Sequence, residues 1–121
     1  VIVDTSALVA LLRDEPEAAA LAKLLQSAPR RLLSAANYVE LAAVVDGRGD
    51  PAVSGALDAW LATWQIEIVP LSVAQARIAR DAYRQFGRRT GHGARLNLGD
   101  CFAYALARDA GEPLLFKGGD F

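Results

Sequence analysis

The sequence predicts an α/β fold, a parallel sheet held between helical layers. Three observations lead there. Short apolar runs at Val1–Val3, Arg31–Ser34, Ile66–Val69 and Leu114–Phe116 alternate with helical segments along the whole chain, the pattern of strands joined by crossover helices. The opening run Val1-Ile2-Val3 is apolar at every position, as expected of a strand covered on both faces. The chain is 53% hydrophobic with a mean hydropathy of +0.19, which is rich for a chain in water. Its 121 residues suffice for one domain with a real core and are too few for two, so a single domain over 1–121 is expected.

The elements follow in order. After the first strand, Ser6–Leu12 reads as a helical segment. Asp14 is placed to cap the next helix, with Pro16 near the first turn and Glu17 at the helix N-terminus. That helix runs from Glu17 to Gln26 with Leu21, Leu24 and Leu25 on one face, and Ser27-Ala28-Pro29-Arg30 breaks it. The second strand, Arg31–Ser34, leads to a helix over Ala36–Asp46 that Gly47 is suited to close. Asp50-Pro51 restarts a helix carrying Leu57, Trp60, Leu61 and Trp64. The third strand, Ile66–Val69, ends at Pro70. Ser72 caps a long helix reaching Phe86. A Gly- and Arg-rich loop spans Gly87–Arg95. Asn97 caps a helix over Leu98–Asp109 that stops at Gly111. Leu114–Phe116 is the last strand.

Composition excludes several classes. No apolar run approaches the roughly 18–20 residues of a membrane span, and no secretory signal pattern opens the sequence. The single cysteine, Cys101, has no internal disulfide partner and fits a reducing cytoplasm. A net charge of −1 supplies no overall basic field for nucleic acid, although acids that bind cations would reverse their local sign. His92 and Cys101 cannot build a zinc site, because nothing supplies further ligands at usual spacings. Neither GxxxxGK[ST] nor GxSxG is present.

The informative residues are three acids lodged in apolar surroundings. Asp4 ends the first strand. Glu40 sits in Asn37-Tyr38-Val39-Glu40-Leu41-Ala42-Ala43-Val44-Val45, and Asp100 in Asn97-Leu98-Gly99-Asp100-Cys101-Phe102-Ala103-Tyr104. Burying a carboxylate is costly unless something positive meets it, and no basic residue is adjacent to any of the three. Each has an ordinary reading alone: Asp4 and Asp100 as helix caps, Glu40 as partner to a distant arginine. Together they point to a shared divalent metal, Mg²⁺ or Mn²⁺, and to hydrolysis at phosphate. Asp4 and Asp120 follow the first and last strands, the rim where parallel sheets bind ligands, and Glu40 and Asp100 lie near the starts of helices on that rim. Thr5 or Ser6 offers a hydroxyl for water or phosphate. Lys117 is either a phosphate contact or a surface lysine. The stretch Arg84–Arg95, with four arginines, three glycines and the only histidine, suits RNA phosphates or is simply a solvated loop.

Aspartyl phosphoryl transfer is the rival chemistry. A phosphatase of that kind wants a second acid two residues after Asp4, where Ser6 stands. A receiver domain wants an Asp at the end of a middle strand, and Ile66–Pro70 leads only to Leu71-Ser72.

These residues resemble a known family. Val1-Ile2-Val3-Asp4-Thr5-Ser6-Ala7-Leu8, the helical Glu40, Leu96-Asn97-Leu98-Gly99-Asp100-Cys101-Phe102-Ala103-Tyr104-Ala105-Leu106-Ala107 and Leu114-Leu115-Phe116-Lys117-Gly118-Gly119-Asp120-Phe121 are similar to PIN-domain proteins, and more narrowly to the VapC toxins of bacterial type II toxin–antitoxin systems. The resemblance spans the whole chain in order. It implies a three-layer α/β/α sandwich with a central parallel sheet of four or five strands. It implies a cytoplasmic, Mg²⁺- or Mn²⁺-dependent endoribonuclease acting on RNA. The implied partner is a cognate VapB-type antitoxin, with the toxin a homodimer or part of a heterotetramer or octamer. Exposed Leu and Trp surface on the second and fourth helices would serve those contacts. By motif position Asp4, Glu40 and Asp100 match the family's metal-binding acids, with Ser6 placing a water or phosphate. Asp120 is the first acid after the last strand; its role is direct, through water, or taken by a residue further on. A catalytically weak PIN domain that binds RNA or protein is the alternative.

Overall fold

A computed structural model describes residues 1–88, 90–91, 93–119 and 121. Arg89 and His92 of the Gly- and Arg-rich loop, and Asp120, the fourth candidate acid, lie outside the described residues. The elements run β1 (Ile2–Val3), α1 (Thr5–Leu12), α2 (Ala18–Ser27), β2 (Arg31–Ser34), α3 (Ala35–Asp46), α4 (Pro51–Thr63), β3 (Ile66–Val69), α5 (Val73–Phe86), α6 (Leu98–Ala110) and β4 (Leu114–Leu115). Among the described residues the strands form one sheet in the order β3-β2-β1-β4, and every pairing is parallel. The expected four or five strands are thus four.

The alternation of side chains along each strand builds a core on both faces of the sheet. Val3, Leu33 and Leu115 turn to one face, where they pack with Leu8, Leu21, Leu25, Leu41, Leu57 and Leu61 from α1 to α4. Ile2, Leu32 and Leu114 turn to the other and meet Leu106 of α6. α5 in turn packs on α6 through Ala79, Ala82, Cys101 and Ala105, small side chains that let two helices approach. The result is the three-layer sandwich that the alternation of elements predicts.

Asp4, Ser72 and Asn97 cap the helices that the sequence assigns to them. At the Asp50-Pro51 restart the cap is Asp50 itself, which accepts from the Ala52 and Val53 amides ahead of Pro51, the first residue of α4. Ser72 accepts from Gln75 N. Gly111 closes α6 at φ 66°, the left-handed geometry that glycine adopts without strain. Gly47 caps the end of α3 as expected, at φ −64° with its N–H donating to Ala43 O, and the left-handed residue of the following turn is Gly49, φ 73°. One expectation fails locally. Asp14 does not cap α2; it turns the chain at φ 50°, a conformation Asp tolerates better than most residues, and Glu17 stands at the cap without a side-chain bond.

The fourth helix also differs from its expected exposure. Leu57 and Leu61 are buried, and Trp60 and Trp64 are half-buried against the main core. The exposed large apolar residues on the two helices named above are Leu24 of α2 and Val53 of α4.

No helix among the described residues is long and apolar enough to cross a membrane. The described part of the Gly87–Arg95 loop is closed at its base. Leu96 N donates to Phe86 O at 3.0 Å and Arg88 N to Leu96 O at 3.1 Å, with Leu96 buried beneath. This closure delivers Asn97 and α6 to the sheet.

Arg31 is a hub that the strand pattern hides. Its guanidinium donates to Leu25 O and Gln26 O at the end of α2, and to Trp64 O and Gln65 Oε1 beyond α4. It therefore satisfies carbonyls that two helix ends leave orphaned. Hydrogen bonds from charged donors contribute about 1.5–3 kcal/mol, so Arg31→Ala should lose about that much in denaturant unfolding. Arg31→Lys should not restore it, because a single ammonium cannot span both helix ends.

Candidate active site

The strand order sets where a ligand can enter. The chain adds β2 and β3 on one side of β1 and β4 on the other, so the strand order reverses between β1 and β4, the place where parallel sheets open a crevice at the carboxyl ends of their strands. A pocket lies there. Asp4, Thr5, Ser6, Arg13, Glu40, Asn97, Asp100 and Lys117 are among its lining residues. The three acids singled out from sequence, supplied by the end of β1, by α3 and by α6, thus reach one pocket.

Asp4 is both a cap and a desolvated acid. It is 2% exposed, and its Oδ2 accepts from Ser6 N at 3.0 Å to start α1. Its Oδ1 is buried without a hydrogen-bond partner. Burial raises its pKa above 3.8; hydrogen bonds from Ser6 partly offset this, and the Glu40 charge adds to the rise. Asp100 occupies the third position of α6 in a reciprocal cap. Its Oδ2 accepts from Asn97 N at 2.9 Å while its own N–H donates to Asn97 Oδ1 at 2.7 Å. For Asp4 the capping and functional readings therefore coexist, since one oxygen caps α1 and the other is left without a protein partner.

Glu40 is half-buried and held by α6. Its Oε1 accepts from Asn37 Nδ2 at 3.2 Å. Its carboxylate lies flat on Gly99: a Cβ added there would sit 2.0 Å from Glu40 Oε2. Glycine at this position leaves open the space that the Glu40 carboxylate occupies, one residue before Asp100. Ser6 joins the ends of β1 and β4, its Oγ accepting from Lys117 N at 2.9 Å.

The remaining sequence candidates divide. The Lys117 ammonium is exposed and bound to Glu15 and Glu17, with its pKa raised chiefly by the Glu15 hydrogen bond. It reads first as a surface ion pair. Cys101 is buried, and desolvation, with the Asp100 charge beside it, pushes its thiol up to about 11. It stays protonated and inert at neutral pH. Sequence reasoning missed Asn37, Gly99 and Arg13. A polar Asn three residues before Glu40 and a Gly directly before Asp100 were the available signals.

Among the described residues, no three His, Cys, Asp or Glu side chains form a group set to hold a metal ion. Each acid turns an oxygen toward a local N–H: Ser6 for Asp4, Asn97 for Asp100 and the Asn37 amide for Glu40. The donor chemistry nonetheless fits a hard divalent cation. The ligands on offer are oxygens, and Asp4 Oδ1 is a buried acceptor that nothing in the protein satisfies.

Two outcomes test this geometry. Gly99→Ala should unfold within about 1 kcal/mol of the parent, because alanine favours a helix by about that amount and only the mobile end of Glu40 must yield. Its catalytic activity should nonetheless fall at least 10-fold, as expected when a group holding a metal site is displaced. A raised Asp4 pKa means the fold prefers the protonated acid: the stability this gives is full below 3.8 and lost as pH rises through the folded value. At neutral pH in chelator, Asp4→Asn should therefore melt above the parent. Added Mn²⁺ should raise the parent's melting temperature and move the variant's less.

The whole chain, residues 1–121, matches the family model described as the PIN domain. It is 53% identical to Ribonuclease VapC28 of Mycobacterium tuberculosis, over 99% of this chain and 90% of that one. It is 48% identical to Ribonuclease VapC42 of the same species, over 99% and 92%. The crystal structure of Mycobacterium tuberculosis VapC20, titled a sarcin-ricin loop cleaving toxin, superposes with a TM-score of 0.73 at 18% identity, covering 98% of this chain and 90% of that chain. A toxin–antitoxin complex from Klebsiella pneumoniae gives 0.72 at 17% identity, covering 97% and 85%. These two likenesses carry the fold, and the sequence identities carry the family: the chain belongs to the PIN-domain family, among the VapC ribonucleases.

Proposed function

We propose that this chain is the toxin of a toxin–antitoxin pair, an endoribonuclease that hydrolyses RNA phosphodiester bonds with Mg²⁺ or Mn²⁺. One observation carries the reading most: acids from three separate elements line one pocket at the sheet's switch point, and one of them keeps a buried oxygen without a partner. Family membership supports the same chemistry.

Asp4 and Asp100 are the residues to hold the metal, with Glu40 completing the set or orienting the attacking water. When bound, such an ion lowers the pKa of a coordinated water and offsets charge on the phosphate. Ser6, fixed by the Lys117 N–H, places a water or a phosphate oxygen. Arg13 lines the same pocket, and a guanidinium there suits a backbone phosphate. Attack by water makes no use of the ribose 2′-hydroxyl, so the products carry 5′-phosphate and 3′-hydroxyl ends. The partner is a protein antitoxin, consistent with the toxin relatives, and the active form is a homodimer or a larger assembly with that antitoxin. Asp120 remains the candidate fourth acid.

The test is cleavage of total RNA by antitoxin-free protein with Mg²⁺, Mn²⁺ or EDTA. Discrete fragments that need metal, carry 5′-phosphate ends and fall at least 100-fold with Asp4→Ala or Asp100→Asn are expected. A folded protein that binds Mn²⁺ and cuts no RNA is instead a binding module. Full cleavage by Asp100→Asn would overturn the assignment of that acid.

A further inference from the structure

Asn37 is fully buried in α3, and its neighbours belong to three elements. Its Nδ2 donates to Gly99 O of α6 at 2.9 Å and to Glu40 Oε1 at 3.2 Å. Its backbone carbonyl accepts from Thr5 Oγ1 of α1 at 3.4 Å. The orientation of the amide is forced: reversed, its oxygen would face a carbonyl and a carboxylate, two acceptors with no proton between them.

We infer that Asn37 is a positioning residue for the nuclease site, holding the Glu40 carboxylate against Gly99 and tying the start of α6, with Asp100, to α3. The inference rests on the reading of Glu40 as part of that site. The same amide that bonds Glu40 also bonds the carbonyl of the residue preceding Asp100, so one side chain sets the spacing of two acids from different helices. Gly99 supplies the floor and Asn37 the hydrogen bond; neither alone fixes the carboxylate, because the floor leaves it free to swing and the bond leaves it free to lift. A purely structural account is weaker. Asn37 Oδ1 is buried with no hydrogen-bond partner, which costs stability. A leucine of similar size would avoid that cost. What leucine cannot do is donate to Glu40 and Gly99 O.

A double-mutant cycle tests it, using Asn37→Leu, Glu40→Gln and the pair. The substrate is a synthetic RNA carrying a site that the parent cuts, and Mn²⁺ alone is the binding probe. Asn37→Leu should lower kcat about 10–100-fold, as loss of a partner supporting a metal ligand does, with KM for RNA within about 2-fold. Mn²⁺ affinity should fall with it. In the Glu40→Gln background the further loss should be under about 3-fold, because residues acting through one another are not additive. Equal losses in both backgrounds, or a loss in KM alone, would overturn the inference.

If Asn37→Leu fails to fold, the parent still decides the matter through the Nδ2 proton signals of Asn37 in NMR. Glu40→Gln should shift them and speed their exchange with water; unchanged signals would overturn the inference. A parent that neither binds Mn²⁺ nor cuts RNA would sink the nuclease reading separately, since the Asn37 signals report the contact with Glu40 regardless.

Discussion

Carboxylates gathered in a low-dielectric crevice are the constraint on which the rest of this molecule depends. Asp4 and Asp100 are nearly buried and Glu40 is half-buried, all in one pocket. Such a group is unfavourable by itself, through desolvation and through mutual repulsion. The protein tempers it with local N–H donors: Ser6 for Asp4, Asn97 for Asp100 and Asn37 for Glu40. What these donors leave over is negative potential focused at the carboxyl edge of the sheet, a field suited to a small divalent cation.

The surrounding fold is arranged to make that tension tolerable. β1 and β2 are central in the sheet and carry apolar residues on both faces, so the strand that presents Asp4 is anchored above and below. The first turn of α1 grows directly from Asp4, and Ser6 is bound to the chain leaving β4. α6 is fixed at its start by the Asn97–Asp100 cap and along its length by α5 and the sheet. Acids displaced from these positions would lose their common pocket. The protein therefore places them on regular elements rather than on loops, where positions are less exact.

Local bonding and function share the same atoms here. At Asp4 the capping carboxylate uses one oxygen and leaves the other without a protein partner. Cys101 shows the opposite outcome for a group beside Asp100: burial and a like charge suppress the thiol's ionisation, so it contributes packing alone. Lys117 is likewise drawn to Glu15 and Glu17, which leaves Arg13 as the pocket-lining cation with the looser partner, Glu15 at 3.9 Å.

The sequence by itself determined the strand–helix alternation, the caps at Ser72 and Asn97, the helix restart at Asp50-Pro51, and the three acids. These are local or compositional properties: apolar runs, cap chemistry and the conflict of a charge with its neighbours are written in consecutive residues. Family likeness then extended the reading across the chain, since Asn97-Leu98-Gly99-Asp100 is a contiguous motif. Asp14 failed as a cap because the turn after α1 is set by how α1 and α2 meet, which its neighbours in sequence do not encode. The spacing of Trp60 and Trp64, one helical turn apart, places them in core or interface, and both are half-buried against the main core; how far each is covered depends on the neighbours that the helix face meets. Only the tertiary structure decided that Asn37 reaches Gly99 sixty-two residues away, that Gly99 must lack a side chain to seat Glu40, and that Arg31 spans two helix ends. Each depends on distances between elements that are far apart in sequence, and such distances exist only once the sheet has brought those elements together.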